Sequence, residues 1–236
     1  MKKFEFTGEF IVYFGKKLFR IKSLIDFGDV KRGEVGGFVE KEENLSQDGD
    51  AWVYGNARVY GSARVDDNAR VCGSARVCGS AWVYGDAWVC DNALVCGSAR
   101  VCGSARVYGD AWVYGNALVC GSARVCGSAR VCGSARVYGD AWVYGNARVC
   151  DNALVCGSAW VCVDADYACV KGFGRECRNT TFFRTKDGGV SVVCGCFHGT
   201  MQEFREKVKE THGESKMAKE YLMIADLMKM HFDNEA

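Results

Sequence analysis

Over residues 49–162 small, polar and aliphatic residues alternate with a period of six that never slips. Each unit reads Gly or Asp, then Asn, Asp or Ser, then Ala, any residue, Val, any residue, and 19 such units follow one another. Ala in the third place and Val in the fifth are two residues apart, so both fall on one side of an extended segment. Small followed by aliphatic, both facing inward, predicts a narrow core. The first two places carry residues that tolerate turns and positive φ, with Asp67, Asp91 and Asp151 replacing Gly. Each unit is therefore expected to be a two-residue corner joined to a short strand.

The flanks break this pattern. Residues 1–48 carry strand-like runs at 4–14 and 18–21, followed by apolar-bearing segments at 26–30 and 36–40. They predict a β cap for a solenoid whose end strands would otherwise be unpaired. Glu43-Asn44-Leu45-Ser46-Gln47-Asp48 reads as a degenerate first unit with Leu45 in the Ala place. Beyond Cys162 the repeat decays, and Lys, absent from the repeat, returns. In 163–236 the segments 180–185 and 190–197 alternate around Lys186-Asp187-Gly188-Gly189, which predicts a hairpin. Thr200 and Glu203 form a capping-box pair opening a helix that Gly213 stops. A second helix over 215–232 is expected to bury Tyr221, Ile224, Leu227 and Met228, completing a ββαα module for a partner.

The repeat resembles the hexapeptide motif of left-handed parallel β-helices. That resemblance implies a mainly β fold in which three units make one triangular coil, residue n lies beneath residue n+18, and 19 units build about six coils. The stack would be about 30 Å tall at β-strand spacing. Segment 26–50, with Gly36-Gly37-Phe38 and Glu43-Asn44-Leu45-Ser46, looks like the opening of YdcK-like hexapeptide-repeat proteins, which occur in bacteria and their phages. The C-terminal module is similar to segments of small phage and prophage proteins.

The resemblance also implies an acyltransferase using acetyl-CoA or acyl carrier protein, with a His as general base at a coil edge. The repeat holds no His and no inserted loop; His198, His212 and His231 all lie in the C-terminal module. A non-enzyme without a cofactor is therefore expected, because fold alone does not carry function.

Stacking by 18 sorts the outward fourth and sixth places into three faces. The first carries Trp52, Arg70, Trp88, Arg106, Arg124, Trp142 and Trp160 beside Tyr54, Tyr108, Tyr144 and four cysteines, so seven of fourteen positions are aromatic. The second and third faces have three aromatics in twelve each. Exposed Trp, Tyr and Arg mark interfaces, although Arg and Trp on adjacent coils also stack on one another for stability. The first face is the expected binding surface. It would serve either self-association, with a trimer favoured, or a small anionic ligand such as a nucleotide. Ten Arg against eight Asp leave the repeat at only +2, and the whole chain at +1, which argues against extended nucleic acid.

No run of 18 apolar residues occurs, and Met1-Lys2-Lys3-Phe4 leads into alternation rather than an apolar leader, so a cytoplasmic, non-membrane protein is expected. Fifteen cysteines, an odd number, are then expected to remain mostly thiols. Eleven stand in outward columns that do not converge on a metal. The weak metal candidate is Cys194, Cys196 and His198, placed on one side by strand alternation, with Cys177 as a fourth ligand; the competing reading is an apolar face under the helices. The preferred function is a phage- or prophage-type scaffold acting through its faces. The alternatives are an anti-defence sponge that sequesters a nucleotide signal, and an acyltransferase-like enzyme.

Overall fold

The computed structural model describes residues 2–174 and 178–233. Every third-place Ala and fifth-place Val of the repeat is buried, with 1% exposure at most. Each unit contributes a two-residue strand, and strands 18 residues apart pair in parallel, as Trp88 with Arg70 below and Arg106 above. Three ladders result: Trp52 to Trp160 on the first face, Arg58 to Arg148 on the second and Arg64 to Leu154 on the third. The fold is a three-sided parallel β-solenoid. Its corners turn through a first-place residue in the left-handed region. At Gly97, with φ +71°, an added Cβ would also lie 2.9 Å from the backbone nitrogen of Gly115 one coil on, so glycine serves both the turn and the stacking.

The solenoid has about seven levels rather than six, because the cap supplies the first. Strand β3 (Val35–Val39) pairs in parallel with the solenoid, Val39 with Val59. Leu45 bridges Val65, twenty residues on rather than eighteen, and is buried. Leu45 thus occupies a Val place, not the Ala place, because the corner between it and the repeat is two residues longer. Strands β1 (Phe4–Tyr13) and β2 (Lys16–Ser23) form an antiparallel hairpin on β3 and extend the second face into a nine-stranded sheet.

Hydrogen bonds between coils explain both caps. Fourth- and sixth-place amides donate to third- and fifth-place carbonyls of the next coil, as Arg58 N to Ala75 O and Tyr60 N to Val77 O. The first coil is therefore left with carbonyls and the last with amides. At the start, Phe38 N and Glu40 N donate to Ala57 O and Val59 O, Asn44 Nδ2 to Ala63 O at 2.7 Å, and Ser46 N to Val65 O. The ammonium of Lys3, itself buried, donates to the carbonyls of Asp48, Gly49 and Ala51. Burial holds its pKa down at about 8 against the attraction of Asp50 and Asp48. At the far end Arg148 N donates to Asp164 Oδ1, Cys150 N to Tyr167 OH, Leu154 N to Thr181 Oγ1 and Cys162 N to Asp166 Oδ2. Donors close one end and acceptors the other.

Those acceptors belong to the C-terminal module, which is a cap as well as an appendage. Its sheet has four antiparallel strands, Tyr167–Phe173, Arg178–Arg184, Val190–Cys194 and Phe197–Thr200, where the sequence pattern predicts two. Phe183 and Val193 on one face join the solenoid core, while Phe182 and Val192 on the other pack against the helices. Helix α1 (Met201–His212) starts at the Thr200–Glu203 capping box and stops at Gly213; α2 (Lys216–Phe232) follows. Tyr221, Ile224 and Met228 are buried as expected, but Leu227 is 57% exposed, alongside Met223 and Met230. No helix among the described residues is long and apolar enough to cross a membrane.

Two outcomes follow from this construction. Deleting residues 97–114, one full coil, will leave a folded chain with a cooperative thermal transition, whereas deleting 97–99 will abolish it by reversing the inward phase of all later units; circular dichroism distinguishes the two. Lys3→Ala leaves three carbonyls without their donor and will lower unfolding free energy by about 2 kcal/mol in a denaturant titration.

Candidate functional site

The first-face residues are aligned in one ladder, but they divide into three groups. Trp52 and Tyr54, expected on the binding surface, belong to the N-terminal cap. Trp52 has 0% exposure and meets Phe4 and Phe27 edge-on. Tyr54 OH donates to Asp29 Oδ1 at 2.9 Å, and Arg70 pairs with the same carboxylate at 2.8 Å. The cap covers these positions because the core of the first coil is otherwise open.

At the other end, Trp142, Tyr144 and Trp160 cluster beside the C-terminal module. Trp142 and Trp160 have ring centroids 4.7 Å apart, Trp160 Nε1 donates to Tyr144 OH, and Trp142 Nε1 donates to Cys126 Sγ at 3.0 Å. Lys186 of the module lies 5.9 Å from the Trp160 ring centroid.

The middle group remains open. Trp88, 40% exposed, lies between two guanidinium groups, Arg70 below and Arg106 above, each 5.3 Å from its ring centroid. Arg106 pairs directly with Arg124 in the ladder, and no carboxylate forms an ion pair with either among the described residues. Two like charges one strand spacing apart repel, so this position favours an anion. Trp88, Arg106, Tyr108 and Arg124 line a cleft of about 350 Å³ with Cys90 and Asp91. Burial, with a hydrogen bond to Cys126, pushes the Tyr108 phenol up to about 12, so it stays neutral. Arg124 also borders a second cleft of about 270 Å³ with Asp140, Trp142, Trp160 and Lys186.

The unequal aromatic load of the sequence is therefore divided between the N-terminal cap, which covers Trp52 and Tyr54, and a half-buried cluster of Trp142, Tyr144 and Trp160 packed on one another. Exposed tryptophans number one per face among the described residues: Trp88, Trp112 and Trp82. Arginines stacked without an ion pair also occur on the second face, as Arg130 and Arg148 among the described residues, so what sets the first face apart is the cleft in which Arg106 and Arg124 meet Trp88 and Tyr108. Trp82, by contrast, donates to Asp66, which also pairs with Arg64.

The metal constellation separates. Cys194-Gly195-Cys196-Phe197 is a turn, with Gly195 at φ +61° and Cys194 paired to Phe197. The expected single strand is thus two, so Cys194 packs toward the helices, Cys196 is exposed on the turn, and His198 lies on the following strand. Cys177 falls outside the described residues. No group of three or more metal-ligating side chains occurs among the described residues. His198 Nε2 instead comes 4.0 Å from Cys156 Sγ, a pairing across 42 residues with no local signal in the sequence. Cys156 is 2% exposed and burial pushes its thiol up, so this is a packed contact and not an activated nucleophile.

The column cysteines are mixed. Cys72–Cys90 and Cys132–Cys150 are disulfides, each with Cα atoms 4.6 Å apart, while Cys78, Cys96, Cys102, Cys120, Cys126, Cys156 and Cys162 are free. Coil stacking brings the Cα atoms within disulfide range, so four of the eleven column cysteines depart from the expected thiols and seven keep to them.

The fold and its exposed ladders define a β-solenoid repeat protein. The YdcK beta solenoid repeat family matches residues 51–67, 99–115, 105–121, 111–127, 129–145 and 147–162, all within the coils, which supports a YdcK-like repeat protein. No curated protein matches the chain.

The cleft corner gives a direct test. Asp91 adopts φ +58° and its carboxylate accepts from Gly109 N at 2.9 Å one coil on. Asp91→Ala keeps the left-handed strain and loses the bond, and will cost about 2 kcal/mol by chemical denaturation. Asp91→Gly relieves the strain and will stay within about 1 kcal/mol of the parent.

Proposed function

We propose that this chain is a non-catalytic β-solenoid scaffold of the cytoplasm, of phage or prophage type, that self-associates through the open middle of its first face. The observation that carries the reading is the cleft around Trp88, Arg106, Tyr108 and Arg124, which neither cap covers. Trp and Arg in a shallow, partly apolar depression supply the contact area and directed charge that protein interfaces use. A homotrimer is the favoured assembly. The fold supports a scaffold because each coil repeats the last and the caps satisfy the ends, leaving outward side chains free to vary.

The Arg106–Arg124 stack favours a second reading at the same place. A small anion carrying an aromatic ring, such as a nucleotide, would neutralise the two guanidinium groups and lie against Tyr108, consistent with a sponge that sequesters such a signal between protomers. The acyltransferase reading has less to support it, since His198 contacts buried Cys156 rather than an open cleft.

Light scattering and mass spectrometry of retained small molecules separate these readings. The parent chain will run as an oligomer, and Trp88→Ser will raise its dissociation constant about 30-fold, the loss expected for one interface anchor of about 2 kcal/mol. An unchanged oligomer eliminates the first face as the contact. A nucleotide retained by the parent and lost in Arg124→Ser supports the sponge; retained coenzyme A would support the enzyme.

A further inference from the structure

Cysteines stack one coil apart at four places in the columns of sixth-place residues. Two of these pairs, Cys72–Cys90 and Cys132–Cys150, are bonded. Two others, Cys78 with Cys96 and Cys102 with Cys120, have the same separation of 18 and the same parallel pairing beside them, Val77 with Val95 and Val101 with Val119, yet remain thiols. The stacking geometry that permits a disulfide is thus present twice more, in half-buried positions that solvent can reach.

The two unbonded pairs differ in their surroundings. Cys78 stands beside Cys96, the Tyr60 hydroxyl and the Arg76 guanidinium, whose hydrogen-bonding capacity and charge favour its thiolate. These contacts hold the Cys78 thiol down at about 6 despite burial, while Cys96 is pushed upward by Cys78 and by burial. Arg76 is fixed from the cap: its Nη1 donates to Tyr13 OH at 3.3 Å, Tyr13 meets Tyr60 edge-on at 5.7 Å, and Arg58 lies 4.5 Å from the Tyr13 ring centroid. In the other pair, burial and Cys102 push the Cys120 thiol up.

We propose that Cys78 and Cys96 form a reversible dithiol–disulfide site on the second face, with Cys78 as the attacking thiolate and Cys96 as the resolving thiol. The site is independent of the first-face cleft. Its oxidant is a low-molecular-weight disulfide of the glutathione type. Cys78 Sγ attacks one sulfur of that disulfide, the reagent S–S bond breaks, and the departing thiolate takes a proton from solvent. Cys96 then releases its proton to solvent and attacks Cys78 Sγ, breaking the mixed disulfide and expelling the second reagent thiolate, which is protonated in turn. Two protein thiols are oxidised to one disulfide and one reagent disulfide is reduced to two thiols. The product staples two neighbouring coils close to the N-terminal hairpin, as the bonded pairs do elsewhere.

The test uses the full chain at pH 7 in glutathione buffers of graded redox ratio, with acid quenching, alkylation and peptide mass spectrometry. On the parent protein Cys78 will alkylate at least about fivefold faster than Cys120, its greater thiolate fraction being partly offset by lower intrinsic nucleophilicity. The Cys78–Cys96 bond will form and disappear reversibly as the ratio changes. Cys96→Ser will accumulate a glutathione adduct on Cys78, because no second thiol remains to resolve it. Equal alkylation of Cys78 and Cys120 overturns the proposal, as does failure of the pair to oxidise across the whole range or the absence of a Cys78 adduct in Cys96→Ser. The parent measurements decide the matter if the variant fails to fold.

Discussion

The direction of the hydrogen bonds between coils governs the whole molecule. A helix or an antiparallel hairpin can satisfy much of its backbone locally, but a coil of this solenoid satisfies its fourth- and sixth-place amides only through the coil that follows. The ladder can be extended indefinitely and cannot end by itself. Its two ends are chemically unlike, and the flanking sequences differ accordingly. One end is met by an ammonium, a carboxamide and strand amides; the other is met by two aspartates, a phenol and a threonine hydroxyl. The 48 residues before the repeat and the 74 after it thus have an electrostatic reason to be where they are.

The periodic part of this architecture was legible from the sequence because period and burial are the same fact there. Ala and Val recur every six residues, and a single slip would turn them toward water. Stacking by 18 then placed each outward residue in its ladder, as Trp88 between Arg70 and Arg106 shows. Positions where two elements meet were harder. Trp52 looks like any other outward tryptophan until Phe4 and Phe27, about fifty and twenty-five residues earlier, are seen to cover it. The phase of Leu45 depends on a corner two residues longer than the rest, and Gly195 divides what alternation alone reads as one strand. Tyr167–Phe173 lacks clean alternation because its sheet packs on a solenoid end along one face and helices along the other.

The same reasoning recasts the first face. A count of aromatics points to its whole length, whereas the structure buries the first end under the N-terminal cap, packs the aromatics of the other end on one another, and leaves the centre. What distinguishes the centre is the open cleft, where Arg106 and Arg124 stack with no carboxylate paired to either and the neighbouring Asp91 carboxylate is engaged by Gly109 N. Some other arginines meet rings or carboxylates of the caps, as Arg58 meets Tyr13 and Arg70 meets Asp29.

The three-sided coil also links length to direction. A unit of six residues advances the chain by one side of the triangle, so each unit gained or lost would swing the C-terminal module a third of a turn about the solenoid axis relative to the N-terminal hairpin. Three units restore the bearing and change only the separation, by about 4.8 Å. A lineage that duplicates such units would therefore alter aim and reach in fixed steps. Whatever the two ends present, their mutual angle is set by a count of repeats rather than by a hinge.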